Sequence, residues 1–167
     1  MFVVGINSAL RISDLLPLRI GDFIDSEGEV RQQFSFREEK RDKRNVVVIN
    51  DSMREALSNY VATYPQAVAK LNHYVFFSSK RSGPDFSKPM TRVHAWWLIS
   101  EMCGAVGLVG NYGTHTLRKT WGYQARQSGV RLELIMAKLN HSNIAMTKRY
   151  LGITDDELRE IAEGLNL

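Results

Sequence analysis

The fold turns on residues 139–150, Leu139-Asn140-His141-Ser142-Asn143-Ile144-Ala145-Met146-Thr147-Lys148-Arg149-Tyr150. Residues 143–150 read as a short helix, and Tyr150 follows His141 by nine residues. A second segment, Thr114-His115-Thr116-Leu117-Arg118, sets a histidine and an arginine three apart, a spacing that places both on one helical face. A third, Ala9-Leu10-Arg11-Ile12-Ser13-Asp14-Leu15-Leu16, carries an arginine among apolar residues. A fourth and weaker segment is the basic run Lys40-Arg41-Asp42-Lys43-Arg44-Asn45-Val46. Cationic and hydroxyl-bearing residues so far apart in the chain can serve one chemistry only if the fold gathers them.

Around these segments the hydrophobic period changes along the chain. Ile6, Leu10, Leu15 and Leu16 recur at helical spacing up to Pro17, which predicts a first helix over 8–16. Between Phe23 and Ile49 the pattern is strand-like. Phe23-Ile24-Asp25, the alternating run Val30–Phe36 and Val46–Ile49 predict a small three-stranded antiparallel sheet, with residues 37–44 as a polar hairpin turn. Helices are predicted from Asp51 to Pro65, over 91–105, 116–127, 132–139 and 143–150, and over 155–165 behind a Thr154 cap. Residues 78–89, rich in Ser, Gly, Pro and Lys, read as a loop. The expected fold is a single α+β domain, mainly α-helical with one three-stranded sheet, spanning 1–167.

Composition narrows the class. The 44% hydrophobic content fits a globular protein, and 22 Lys plus Arg against 18 Asp plus Glu leave a net charge of +4, which permits a nucleic-acid partner without requiring one. No apolar run reaches the roughly 18 residues of a membrane span, and the N-terminus lacks the basic and apolar regions of a signal peptide, so a cytoplasmic location is expected. The single cysteine, Cys103, lies in an apolar stretch and reads as a buried structural thiol. No acidic cluster of the two-metal kind and no glycine-rich phosphate loop is present, so neither metal nor cofactor is expected.

Taken together, the segments resemble the tyrosine recombinase family, which includes the phage integrases. That family carries an arginine in a G-L/M-R-I-S-E-L-L setting, then H-x-x-R, then L-G-H-x-x-x-x-x-T-x-x-Y. This chain reads A-L-R-I-S-D-L-L, H-T-L-R and L-N-H-S-N-I-A-M-T-K-R-Y, in that order. The resemblance implies a tyrosine recombinase catalytic-domain fold and a site-specific recombinase or integrase acting on double-stranded DNA. Its catalytic residues would be Arg11, Lys40, His115, Arg118 and His141 around the nucleophile Tyr150. Lys40 matches the hairpin lysine of K-T-G-K-x-R-x-V-P-L, with Lys43 as runner-up because this turn lacks Thr-Gly. Ser8-Ala9 and Asn140 stand where the family has Thr-Gly and Gly; Asn tolerates left-handed backbone better than most residues.

Physical chemistry supports the same roles. A phosphodiester in transition gathers charge on its equatorial oxygens, which two permanently charged guanidiniums neutralise bidentately. A phenol with a pKa near 10 needs such cations and a base to become a nucleophile, and the departing 5′ oxygen needs a proton.

The basic residues Arg41, Lys43, Arg44, Lys88 and Arg92 are candidate DNA-backbone contacts; the ordinary reading of 37–44 is a solvated hairpin tip. Trp96, Trp97 and Trp121 sit in helical patterns, where core packing is the expectation. The resemblance further implies an N-terminal core-binding domain absent from this sequence. It also implies a homotetramer on DNA joined through the C-terminal helix, and a monomer or weak oligomer without DNA. Two alternatives share much of this pattern: a type IB topoisomerase and a non-catalytic DNA-binding remnant.

Overall fold

Side-chain oxygens start three of the longer helices. In the computed structural model, which describes residues 1–39, 43–154, 159 and 163–165, Asn50 accepts from the Met53 amide at 3.0 Å and opens α4 (Asp51–Thr63). Thr91 accepts from the His94 amide at 3.2 Å and opens α5 (Arg92–Ala105). Asn143 accepts from the Met146 amide at 2.8 Å and opens α8 (Ile144–Leu151). Each cap satisfies an amide that the first helical turn leaves without a partner, typically worth ~1 kcal/mol. The other elements are α1 (Phe2–Ser8), α2 (Ile12–Leu15), α3 (Ile20–Phe23), β1 (Gln33–Arg37), β2 (Arg44–Val48), β3 (Phe77–Lys80), β4 (Gly83–Pro89), α6 (Thr114–Gln127) and α7 (Leu132–Lys138). The chain divides into two compact units, Met1–Arg118 and Lys119–Leu167.

In the first unit, α1 packs on α4 and α3 on β1. The core gathers Val4, Leu15, Ile20, Phe23, Phe34, Val47, Met53, Leu57 and Ile99, all nearly sealed from solvent. Phe23 and Phe34 stand 5.0 Å apart in a tilted pair. Burial of such side chains stabilises by roughly 1.5–3 kcal/mol each. β1 and β2 pair antiparallel, with Phe34 opposite Val47 and Arg37 opposite Arg44. Phe34 and Val47 are buried while Val46 and Val48 face out, which gives the hairpin one wet and one dry face. In the second unit α7 packs on α8, and Ile135, Leu139 and Thr147 are fully buried.

Four expectations need correction. The first helix does not run over 8–16: α1 stops at Ser8, Ala9 turns left-handed at φ 61°, and a short α2 begins at Ile12. The three-stranded sheet is two separate two-stranded hairpins, β1–β2 and β3–β4. Phe23 ends a single helical turn fastened by the Asp22 carboxylate on the Arg19 amide at 2.7 Å, and Ile24 makes only an isolated bridge to Val30. Residues 78–89 are not a loop but most of β3–β4, closed at Gly83, whose φ of 114° suits a residue without a Cβ. Trp96 and Trp97 are half exposed, because α5 buries the smaller side chains Ala95, Ile99 and Cys103 instead. Trp121 is half-buried.

The helices predicted from Asp51, over 91–105, 116–127, 132–139 and 143–150 match α4 to α8 to within two residues at nearly every end. The helix over 155–165 falls largely outside the described residues. Among the described residues, no helix is long and apolar enough to cross a membrane.

Candidate active site

Arg11 owes its position to the left-handed turn at Ala9. With the chain reversed there, Arg11 sits extended at the start of α2, its backbone carbonyl accepting from the Asp14 and Leu15 amides. Its side chain, 17% exposed, meets two buried carboxylates. Nη1 lies 2.5 Å from Glu38 Oε2 and 3.9 Å from Asp14 Oδ2. Asp14 Oδ1 accepts from the Glu39 amide at 3.0 Å. Burial raises the Asp14 carboxyl above its ordinary range and the nearby Glu38 charge adds to this; the Glu39 amide and the charges of Arg11 and Arg118 pull it back.

That last influence ties the two arginines together. Arg118, on the first turns of α6, is 4% exposed and donates through Nη1 to the Ala9 carbonyl at 2.7 Å. The same left-handed residue that starts the Arg11 segment therefore presents an acceptor to Arg118. Two guanidiniums and two carboxylates thus collect around residues 9–14. His115 lies one turn before Arg118 on the same helix and is exposed. Gly113 donates to Thr116 Oγ1 at 3.0 Å and accepts from the Thr116 amide at 2.9 Å, which fixes the entry of α6.

The second unit holds the other expected residues. Asn140 adopts φ 49°, the left-handed conformation for which Asn is a tolerated substitute for Gly, and it links α7 to His141. His141 Nδ1 lies 3.0 Å from Oγ1 of the buried Thr147. Its ring meets the Tyr150 ring edge-on, 5.1 Å between centroids at 76°. The Lys119 ammonium lies 5.6 Å from the same Tyr150 ring centroid, within cation–π range. Tyr150 itself is half-buried on α8.

Lys43, Arg44, Lys88 and Arg92 are all exposed. Arg44 donates to Ser35 across β1–β2 at 3.2 Å, and Arg92 pairs with Glu39 at 3.5 Å. Lys40 and Arg41 lie outside the described residues. Sequence reasoning missed the roles of Glu38 and Lys119. Glu38 was legible in principle: 34, 36 and 38 share a parity, and the apolar Phe34 and Phe36 mark that parity as inward.

Comparison with known proteins bears on the family and the fold. Residues 1–157 match the phage integrase family. The chain is 35% identical over 159 residues to the probable integrase/recombinase YoeC of Bacillus subtilis, covering 95% of this chain and 79% of that protein. The crystal structure of XerA recombinase superposes with a TM-score of 0.73 at 21% identity, over 99% of this chain and 56% of that one. XerH site-specific recombinase, solved bound to its palindromic difH substrate after cleavage, gives 0.69 at 18%, over 96% of this chain and 43% of that one. The fold is that of tyrosine recombinase catalytic domains, and both solved proteins are much longer than this chain.

Proposed function

The chain belongs to the phage integrase family, and from that membership we propose that it is the catalytic domain of a site-specific DNA recombinase, serving integration or excision of a mobile element. The observation that carries the reading is the meeting of Arg11 and Arg118 around residues 9–14, two guanidiniums held in one place by Glu38 and the Ala9 carbonyl.

In the proposed reaction Arg11 and Arg118 neutralise the non-bridging oxygens of one phosphodiester, and His141 donates a hydrogen bond to the same group. The Tyr150 phenolic oxygen attacks phosphorus, its proton passing to His115. The bond from phosphorus to the 5′ oxygen breaks, and Lys40 supplies the proton that oxygen needs. The products are a 3′-phosphotyrosyl link and a free 5′ hydroxyl. The ester energy is conserved, so a 5′ hydroxyl from another strand reverses the step and rejoins the DNA without ATP.

Double-stranded DNA is the proposed partner; the Tn1549 transposon integrase, which shares this fold, was solved in complex with transposon right end DNA. We further assign Arg41, Lys43, Arg44, Lys88 and Arg92 to its backbone, a homotetramer on DNA to the assembled state, and the cytoplasm to the compartment. The test is a pool of nicked duplex oligonucleotides of randomised sequence, in which the short fragment that bears the free 5′ hydroxyl, between the cut and the nick, diffuses away and traps the adduct. Wild type should yield a covalent protein–DNA band on a denaturing gel and Tyr150→Phe none. An equal band from both proteins, or none from wild type, would refute strand cleavage by Tyr150.

A further inference from the structure

Glu38 directly follows β1 inside a run of eight charged residues, Arg37 to Arg44, yet it is 2% exposed. A carboxylate removed from water is costly unless it is paired and hydrogen-bonded. Here both oxygens are engaged. Oε2 lies 2.5 Å from Arg11 Nη1, and Oε1 accepts from Asn45 Nδ2 on β2 at 2.8 Å. The Glu38 amide donates to the Lys43 carbonyl at 3.0 Å, and the next amide, Glu39, donates to Asp14 at 3.0 Å. The turn end of the β1–β2 hairpin is therefore fastened to the Arg11–Asp14 segment at two points, and Glu38 is the one that reaches the guanidinium.

The contact leaves Arg11 half committed. A guanidinium has five donors in a planar fork. Glu38 and Asp14 both address Nη1, so the edge formed by Nη2 and Nε remains for a bidentate anion. Glu38 is also only two residues before Lys40. We propose that Glu38 is a positioning residue: it sets the direction of the Arg11 fork and holds that arginine in register with the hairpin that carries Lys40. This deepens the strand-cleavage reading and rests on it for the part that concerns rate.

Two measurements on the full chain test it. The first needs no DNA. Nitrogen-detected NMR of the Arg11 guanidinium should give two resolved Nη signals in wild type, since the Glu38 contact hinders rotation about Nε–Cζ. Glu38→Gln keeps an acceptor for Asn45 but loses the charge on Arg11, and should merge the two signals. Resolved signals that persist in Glu38→Gln would overturn the proposal. The second is the single-turnover cleavage rate on a nicked duplex recovered from the randomised pool, at saturating DNA. Glu38→Gln should lower that rate about tenfold while changing the dissociation constant for DNA less than about threefold, because the missing bond is one charge-assisted contact. A rate unchanged from wild type would overturn the catalytic part. Should Glu38→Gln fail to fold, Asn45→Ser removes only the far support and should show both effects in smaller measure; its showing neither would count against the proposal equally. Merged signals in Glu38→Gln with no covalent adduct from wild type would leave the clamp on Arg11 standing and refute the strand-cleavage reading.

Discussion

Asp14 is the residue at which the cost of this site is most visible. It is 5% exposed, its Oδ2 accepts no hydrogen bond, and it sits between two guanidiniums and a second buried carboxylate. Burial is the largest influence on it and raises its pKa, so the folded state keeps the Asp14 proton to higher pH than the unfolded chain does. The sign follows: the native state binds more protons across that window, and stability falls as pH rises from the ordinary aspartate value through the raised one. Asp14→Asn keeps an oxygen for the Glu39 amide and cannot ionise. The melting temperature of wild type should therefore decline relative to Asp14→Asn as pH rises above the ordinary aspartate value of about 4. A difference that is constant over that range would show that Asp14 does not titrate against its burial. The residues that cluster here were only partly legible. Arg11 and Arg118 stand in recognisable motifs, whereas the burial of Glu38 depends on which face of a strand end meets the core, and the surrounding charges hid that parity.

Elements that bury one broad stripe were legible, and those that do not were hidden. Residues 51–65 show Met53, Leu57, Tyr60 and Val61 on one face, and α4 follows. α5 has apolar side chains all round, so periodicity found the helix but could not choose its buried face; the tryptophans stay half exposed. The break between α1 and α2 was hidden because Ala9 carries no turn signal, although it occupies a backbone region that favours glycine. In the second unit a glycine brings α6 and α8 together. A Cβ on Gly122 would stand 2.8 Å from Leu151 Cδ2 and 3.6 Å from Leu139 Cδ1. Leu151 adjoins Tyr150, and His141 leans on the buried Thr147 of the same eight-residue helix. Gly122→Ala must therefore move the Leu151 side chain, and we expect the end of α8 to move with it. It should cost ~1–2 kcal/mol, lower the melting temperature by roughly 2–8 °C and slow formation of the covalent adduct without weakening DNA binding. An unchanged melting temperature would mean that Leu151 swings aside and the helix stays in place.

For the molecule as a whole, a net charge of +4 on 167 residues is too small to make DNA binding a property of the entire surface. Attraction to a polyanion must then come from where the cations stand. Lys43 and Arg44 on the first hairpin, Lys88 on the second and Arg92 at the start of α5 are all exposed. The Arg92–Glu39 pair does not remove Arg92 from this set: both side chains are about two-thirds exposed, and such pairs are worth ~0–1 kcal/mol. Each phosphate neutralised by a cation releases counterions, and the logarithm of the binding constant falls with the logarithm of salt by about 0.9 per contact. If all four cations touch phosphates, replacing them together by glutamine should flatten that slope by about 3–4, measured on a non-specific duplex between roughly 50 and 200 mM salt. Lys70→Gln with Arg131→Gln, exposed cations away from these positions in sequence, should change it by less than about 0.5. Equal flattening by both sets would mean a diffuse attraction without the assigned contacts. No flattening by the first set would place the DNA backbone elsewhere, while leaving the chemistry of Arg11, Arg118 and Tyr150 to be judged by the covalent adduct alone.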